Sequence, residues 1–84
     1  MPPYAIDWRD EARADVRRLD RPTAIRLFDG IYHHAQTSAG NVAPLHGDLT
    51  GSFRLRLGAY RVLFRLENNT MRIFAVRNRR EAYR

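Results

Sequence analysis

The sequence predicts an α+β protein in the order β-α-α-β-β-β, with two N-terminal helices packed on one face of a small antiparallel sheet. Three observations predict it. Residues 53–66, FRLRLGAYRVLFRL, alternate apolar residues with arginines on both sides of a Gly-Ala pair, which is the pattern of a hairpin. Two successive stretches between residues 10 and 36 repeat apolar residues at helical spacing. Ahead of them, residues 4–8, YAIDW, alternate and are rich in strand formers.

The first strand covers residues 4–8. The first helix follows from Asp10, a plausible N-cap, although Arg13 rather than Glu or Gln stands three residues on and no capping box forms. Ala12, Val16 and Leu19 give it an apolar face, and it is expected to end near Asp20. The second helix covers residues 21–36. Pro22 suits its first turn, where a missing N–H does no harm. Ile25, Phe28, Ile31 and Tyr32 read as its core stripe, with Leu27 beside it. Gly30 interrupts the stripe at a cost of roughly 1 kcal/mol against Ala, which suggests close packing between the helices. Residues 37–51 carry turn signals without periodicity and read as a loop.

The hairpin comes next. Gly58-Ala59 is a two-residue turn with Gly first, the type II′ pattern. That register pairs Leu57 with Tyr60, Leu55 with Val62 and Phe53 with Phe64. It also sets Arg56 opposite Arg61, and Arg54 opposite Leu63. A second turn at Asn68-Asn69 brings Arg72 opposite Arg65. Met71, Ile73 and Ala75 continue the apolar face, and Tyr60 reads as core. Residues 77–84 read as a polar tail with room for one helical turn. Two helices cover only one face of such a sheet. The other carries Arg54, Arg56, Arg61 and Arg65, interspersed with Leu63, Phe74 and Val76.

Eighty-four residues suit one domain over residues 1–84. Cysteine is absent, so neither disulfides nor thiolate metal sites are expected, which fits a reducing compartment. No apolar run approaches the ~20 residues of a membrane span. The first residues lack a basic region followed by an apolar core, so no secretory signal is expected and the cytoplasm is the default location. The net charge is +6, and all 15 Lys+Arg residues are arginine. Guanidinium is planar, weakly hydrated and bidentate toward phosphate. Such a balance in a small domain points to a nucleic acid, an acidic protein or an anionic surface as partner. His33 and His34 are adjacent on a helix and point to different faces, with no ligand at suitable spacing, so no metal site or other cofactor is expected.

Leu45-His46-Gly47-Asp48, Phe53-Arg54-Leu55-Arg56, Gly58-Ala59-Tyr60-Arg61, and Asn78-Arg79 followed by Tyr83 together resemble the RelE group of the RelE/ParE toxin superfamily of type II toxin–antitoxin systems. The likeness covers the C-terminal half closely; in the N-terminal half only the strand–helix–helix order matches. The resemblance implies a RelE-like fold and a bacterial toxin that cuts messenger RNA in the ribosomal A site. It also implies a cognate antitoxin whose C-terminal segment wraps the toxin in a hetero-oligomer. Family working residues fall on Arg54, Arg56, Arg61, Arg79 and Tyr83. The chain departs from the family pattern at Asn78, where His or Lys is usual, at Ala59 for Asp, and at His46 for Lys. Arg54 and Arg56 stand where the best-known members have lysines. A second branch of the superfamily poisons gyrase without cutting RNA, and a non-catalytic binding module is a third alternative.

The chemistry implied is attack of a ribose 2′-OH on the neighbouring phosphate. Clustered guanidinium groups bind that phosphate and stabilise the charge that builds on it. Arginine, with a pKa above about 12, does not accept the proton at neutral pH. Tyr83, Glu81 and His46 remain as acceptors, and Tyr83 is favoured because nearby arginines lower a phenol's pKa. Arg56, Arg61, Arg79 and Tyr83 are therefore the catalytic candidates, and Arg54, Arg65 and Arg80 the RNA-binding ones. Arg65 and Arg72 read as solvated rather than catalytic.

Overall fold

A computed structural model describes residues 2–78. Its elements are β1 (Ala5–Trp8), α1 (Asp10–Arg17), α2 (Arg21–Thr37), β2 (Asn41–Pro44), a 3-10 turn (Gly47–Leu49), β3 (Ser52–Leu57), β4 (Tyr60–Glu67) and β5 (Thr70–Asn78). The strands form one sheet in the order β1-β5-β4-β3-β2. The α+β class and the placing of the helices agree with the sequence reading. The sheet, however, is mixed rather than antiparallel: β1 runs parallel to β5, with Ile6 beside Met71 and Asp7 beside Arg72. The two helices between β1 and the later strands form a long connection, which is what a parallel neighbour requires. The loop of residues 37–51 also yields a strand: β2 pairs with β3 from Asn41↔Arg56 to Pro44↔Phe53. No helix among the described residues is long and apolar enough to cross a membrane.

α1 starts one residue earlier than expected, at Asp10, the residue read as its cap. Arg9 is the extended N-cap, and Asp10 and Glu11 bring negative charge to the first turn, where the helix dipole favours it. The helix stops at Arg17, because Asp20 serves α2 instead. The Asp20 carboxylate accepts from the Thr23 amide at 3.2 Å and from the Thr23 hydroxyl at 2.7 Å. Pro22 follows in the first turn, as its missing N–H permits. At the far end Ser38, at φ 63°, closes α2 through its amide to His34 O.

α2 is rotated from the expected stripe. Leu27, Ile31, His34 and Ala35 are buried, whereas Ile25, Phe28 and Tyr32 are exposed at 48, 44 and 61 %. Gly30 explains the rotation. A Cβ there would lie 2.7 Å from Leu57 Cδ2, so glycine lets α2 approach strand β3 rather than α1. His33 is exposed and His34 buried, with His34 Nδ1–H donating to Ala39 O at 2.8 Å. Ala12, Leu27, Ile31 and Ala35 pack on Leu55, Val62, Phe64, Met71, Ile73 and Val76 to form the core, and Tyr60 packs against it.

The hairpin has the expected register: Leu57↔Tyr60, Arg56↔Arg61, Leu55↔Val62, Arg54↔Leu63 and Phe53↔Phe64. Gly58 has φ 60° and Ala59 does not have positive φ, as a type II′ turn requires. The Asn68-Asn69 turn, with φ 50° and 62°, sets Arg65↔Arg72. Beyond Phe64↔Ile73 the β4–β5 register shifts by one residue, so that Leu63 pairs with Ala75. This bulge re-phases the rest of β5. Val76 joins the core side, Ala75 sits beside Leu63 on the other, and Arg77, read as tail, becomes the strand partner of Arg61.

Candidate nucleic-acid interface

The face of the sheet away from the helices is built in rows across the strands. In one row Arg56, Arg61 and Arg77 stand side by side on β3, β4 and β5. In the next, Arg54 lies between Ala43 of β2 and Leu63 of β4. A third row runs Ser52, Arg65, Arg72 and Asp7 across β3, β4, β5 and β1. Strand alternation puts these residues together: β3 sends Phe53, Leu55 and Leu57 to the helices, which leaves Ser52, Arg54 and Arg56 facing outward.

The charges on this face are unevenly balanced. Arg72 bonds Asp7 at 3.0 Å and approaches Glu67 at 3.7 Å. Arg77 pairs with Asp15 of α1, whose carboxylate also accepts from the Val76 amide at 2.9 Å. This contact caps β5 beyond the end of β1. Arg65 Nε donates to Ser52 Oγ at 3.2 Å, a neutral partner that leaves the charge in place. Arg56 forms no ion pair or hydrogen bond with the described residues. Arg54 is the most unusual member. Its Nε is buried, yet it has no acceptor among the described residues. A buried donor left unbonded costs about 1–3 kcal/mol. Positive charge is thus left over on β3 and β4, while β5 is largely neutralised.

Beside these rows lies a hollow of about 520 Å³, lined by Arg9, Leu49, Arg65, Glu67, Arg72 and Phe74. Leu49 reaches it from the 3-10 turn that follows His46. Among the described residues no group of three His, Asp or Glu side chains gathers to hold a metal ion.

Of the residues singled out from the sequence, Arg54, Arg56, Arg61 and Arg65 therefore share one face. Arg79, Arg80, Glu81 and Tyr83 lie outside the described residues, as does the proposed helical turn. Sequence reasoning placed Phe74 on this face but missed Arg77 and Arg9. Counting back from the Asn68-Asn69 turn sets Val76 opposite Arg61, and only the bulge brings Arg77 there.

A mixed five-stranded sheet backed by two helices is shared with toxins of the RelE/ParE/YoeB type. The RelBE2 toxin–antitoxin complex of Mycobacterium tuberculosis superposes with TM-score 0.82 at 25 % identity, over 92 % of this chain and 99 % of that one. The YoeB/ParE toxin of Agrobacterium tumefaciens has the same fold, with TM-score 0.73 at 20 % identity over 88 % and 96 % of the two chains. Toxin RelG of Mycobacterium tuberculosis is 29 % identical over 98 % of both sequences. The family model described as the ParE toxin of type II toxin-antitoxin system, parDE, matches residues 6–83. The chain belongs to this family, and is a type II toxin of the RelE/ParE/YoeB superfamily.

Proposed function

We propose that this toxin is a ribosome-dependent mRNA endonuclease that inhibits translation in the bacterial cytoplasm, working as one domain. The observation that carries the reading is the group of arginines that the strand register gathers on the face away from the helices, Arg56 beside Arg61 with Arg54 and Arg65 in the neighbouring rows. Arginine's planar fork suits phosphate better than a lysine's point charge. The full-length likeness to toxin RelG and to the RelBE2 complex also supports the reading.

In the proposed reaction the ribose 2′-OH attacks the adjacent phosphorus in the A-site codon. An O2′–P bond forms and the P–O5′ bond breaks, which leaves a 2′,3′-cyclic phosphate and a free 5′-hydroxyl. Arg56 and Arg61 stabilise the added charge on the phosphoryl oxygens, together with Arg79. Tyr83 accepts the 2′-OH proton, and a proton is delivered to the departing O5′. Arg54, Arg65 and Arg80 hold flanking phosphates. The ribosome supplies substrate orientation, so the isolated toxin turns over slowly. The cognate antitoxin contributes an acidic segment that folds across the arginine face in a hetero-oligomer.

A second reading, gyrase inhibition without RNA cleavage, is favoured by the ParE description of the matching family model. Purified toxin added to a ribosome programmed with a defined message, with cut sites mapped by primer extension, separates the two. Cuts within the A-site codon support the nuclease. An intact message, combined with arrest of gyrase supercoiling by the same preparation, supports the alternative.

A further inference from the structure

We propose that the hollow lined by Arg9, Leu49, Arg65, Glu67, Arg72 and Phe74 is a nucleotide subsite, which stacks one base of single-stranded RNA on Phe74 and holds its phosphate between Arg9 and Arg65. The proposal rests on the RNA-binding reading above and extends it beyond the arginines expected to contact the cut.

Phe74 is the residue that the β4–β5 bulge inserts: Ile73 pairs with Phe64 and Ala75 with Leu63, and Phe74 has no partner on β4. Bulges re-aim a side chain, and this one lines the hollow with a half-buried aromatic ring. An aromatic platform beside guanidinium groups is the usual way to hold single-stranded nucleic acid, because every base offers a π-face. The volume, about 520 Å³, lies within the range of roughly 300–1,000 Å³ typical of small-ligand sites.

The charges sort the roles. Arg72 is already offset by Asp7 and Glu67, the latter the one carboxylate among the described residues of the lining. Arg65 spends one N–H on a neutral hydroxyl, and Arg9 makes no side-chain hydrogen bond or ion pair with the described residues. Arg9 and Arg65 therefore keep the charge an anion would meet. Arg65 lies four residues along β4 from Arg61, about 13 Å at ~3.3 Å per residue. An extended RNA strand lying on Arg61 therefore reaches the hollow within a short run of backbone.

The test uses the full chain and a fluorophore-labelled 2′-O-methyl hexanucleotide, which cannot be cut through its 2′-oxygen. Binding should weaken about 5- to 100-fold in Phe74→Leu and stay near wild type in Phe74→Tyr, which keeps an aromatic ring. Arg9→Gln should weaken binding and make its salt dependence shallower. Removing the base at one position of the oligonucleotide should weaken wild-type binding but leave the affinity of Phe74→Leu unchanged. Thermal melting of each variant separates lost stacking from lost folding. Wild-type affinity in a folded Phe74→Leu, equal abasic losses in both proteins, or no binding at all would overturn the subsite. Cleavage of a ribosome-bound message by the wild type is scored separately. Cutting with no effect at Phe74 removes the subsite and keeps the nuclease, whereas the expected binding pattern without cutting does the reverse.

Discussion

Arg56 is a charge held beside Arg61 with no counter-ion among the described residues. Like charges directly opposite on paired strands destabilise by about 0.2–1 kcal/mol. Arg56→Gln should therefore melt at the wild-type temperature or slightly above it. Cleavage should fall about 10²–10³-fold if the guanidinium meets the developing charge on phosphorus. A structural arginine would give the opposite pair of results, a lower melting temperature and unchanged cleavage. Asp20 illustrates a different residue-level effect. Its hydrogen bonds with the Thr23 hydroxyl and then the Thr23 amide hold its carboxyl below the ordinary value of 3.8. A lowered folded pKa means that the stabilisation is complete above the ordinary value and is lost as pH falls through the folded one. Asp20→Ala should thus melt below wild type at neutral pH, and the gap should close in acid below 3.8. A gap that is constant with pH would mean that the carboxylate is not the cap.

At the scale of elements, the hairpins were legible because each rests on a turn whose chemistry fixes the register. Gly58 supplies a positive φ, Asn68 and Asn69 supply two more, and one turn then sets every pair up the strands. The bulge was not legible, since a single inserted residue leaves the local alternation of β5 looking regular. β2 was hidden for another reason. Val42 is exposed and Pro44 ends the strand, so it carries little apolar signal between its turn residues. In α2 two stripes overlap, and the more hydrophobic set, Ile25, Phe28 and Tyr32, is the one left outside. Helical spacing alone does not choose between them; the contact of Gly30 with Leu57 does. Gly30→Ala should therefore destabilise the wild type, because the Leu57 side chain must move to admit the methyl group. In a Leu57→Ala background the same change should stabilise by up to about 1 kcal/mol, the helix preference for alanine. Equal effects of Gly30→Ala in both backgrounds, read by urea unfolding, would mean that this contact does not set the rotation of α2.

For the whole molecule, the net charge of +6 and its distribution matter together. On β5 the ion pairs of Arg72 and Arg77 offset their charge, whereas Arg54, Arg56, Arg65 and Arg9 form no ion pair with the described residues. The candidate site was legible to the extent that β3 and β4 announce it, through arginines alternating with apolar residues. Arg9 and Arg77 were not, because parallel pairing and a bulge bring distant or re-phased residues to the face. An acidic antitoxin segment lying there should bind far more weakly as salt rises through the range where the Debye length shrinks from about 30 Å to about 3 Å. Affinity unchanged by salt would place the antitoxin elsewhere. The most direct measurement concerns the reaction itself. A message with a single 2′-deoxynucleotide immediately 5′ of the mapped cut is placed in the ribosomal A site and compared with its all-ribose counterpart. The expected result is cutting of the ribose message and none of the deoxy message. Equal cutting of both would contradict attack by the 2′-hydroxyl, and cutting of neither would contradict endonuclease function altogether.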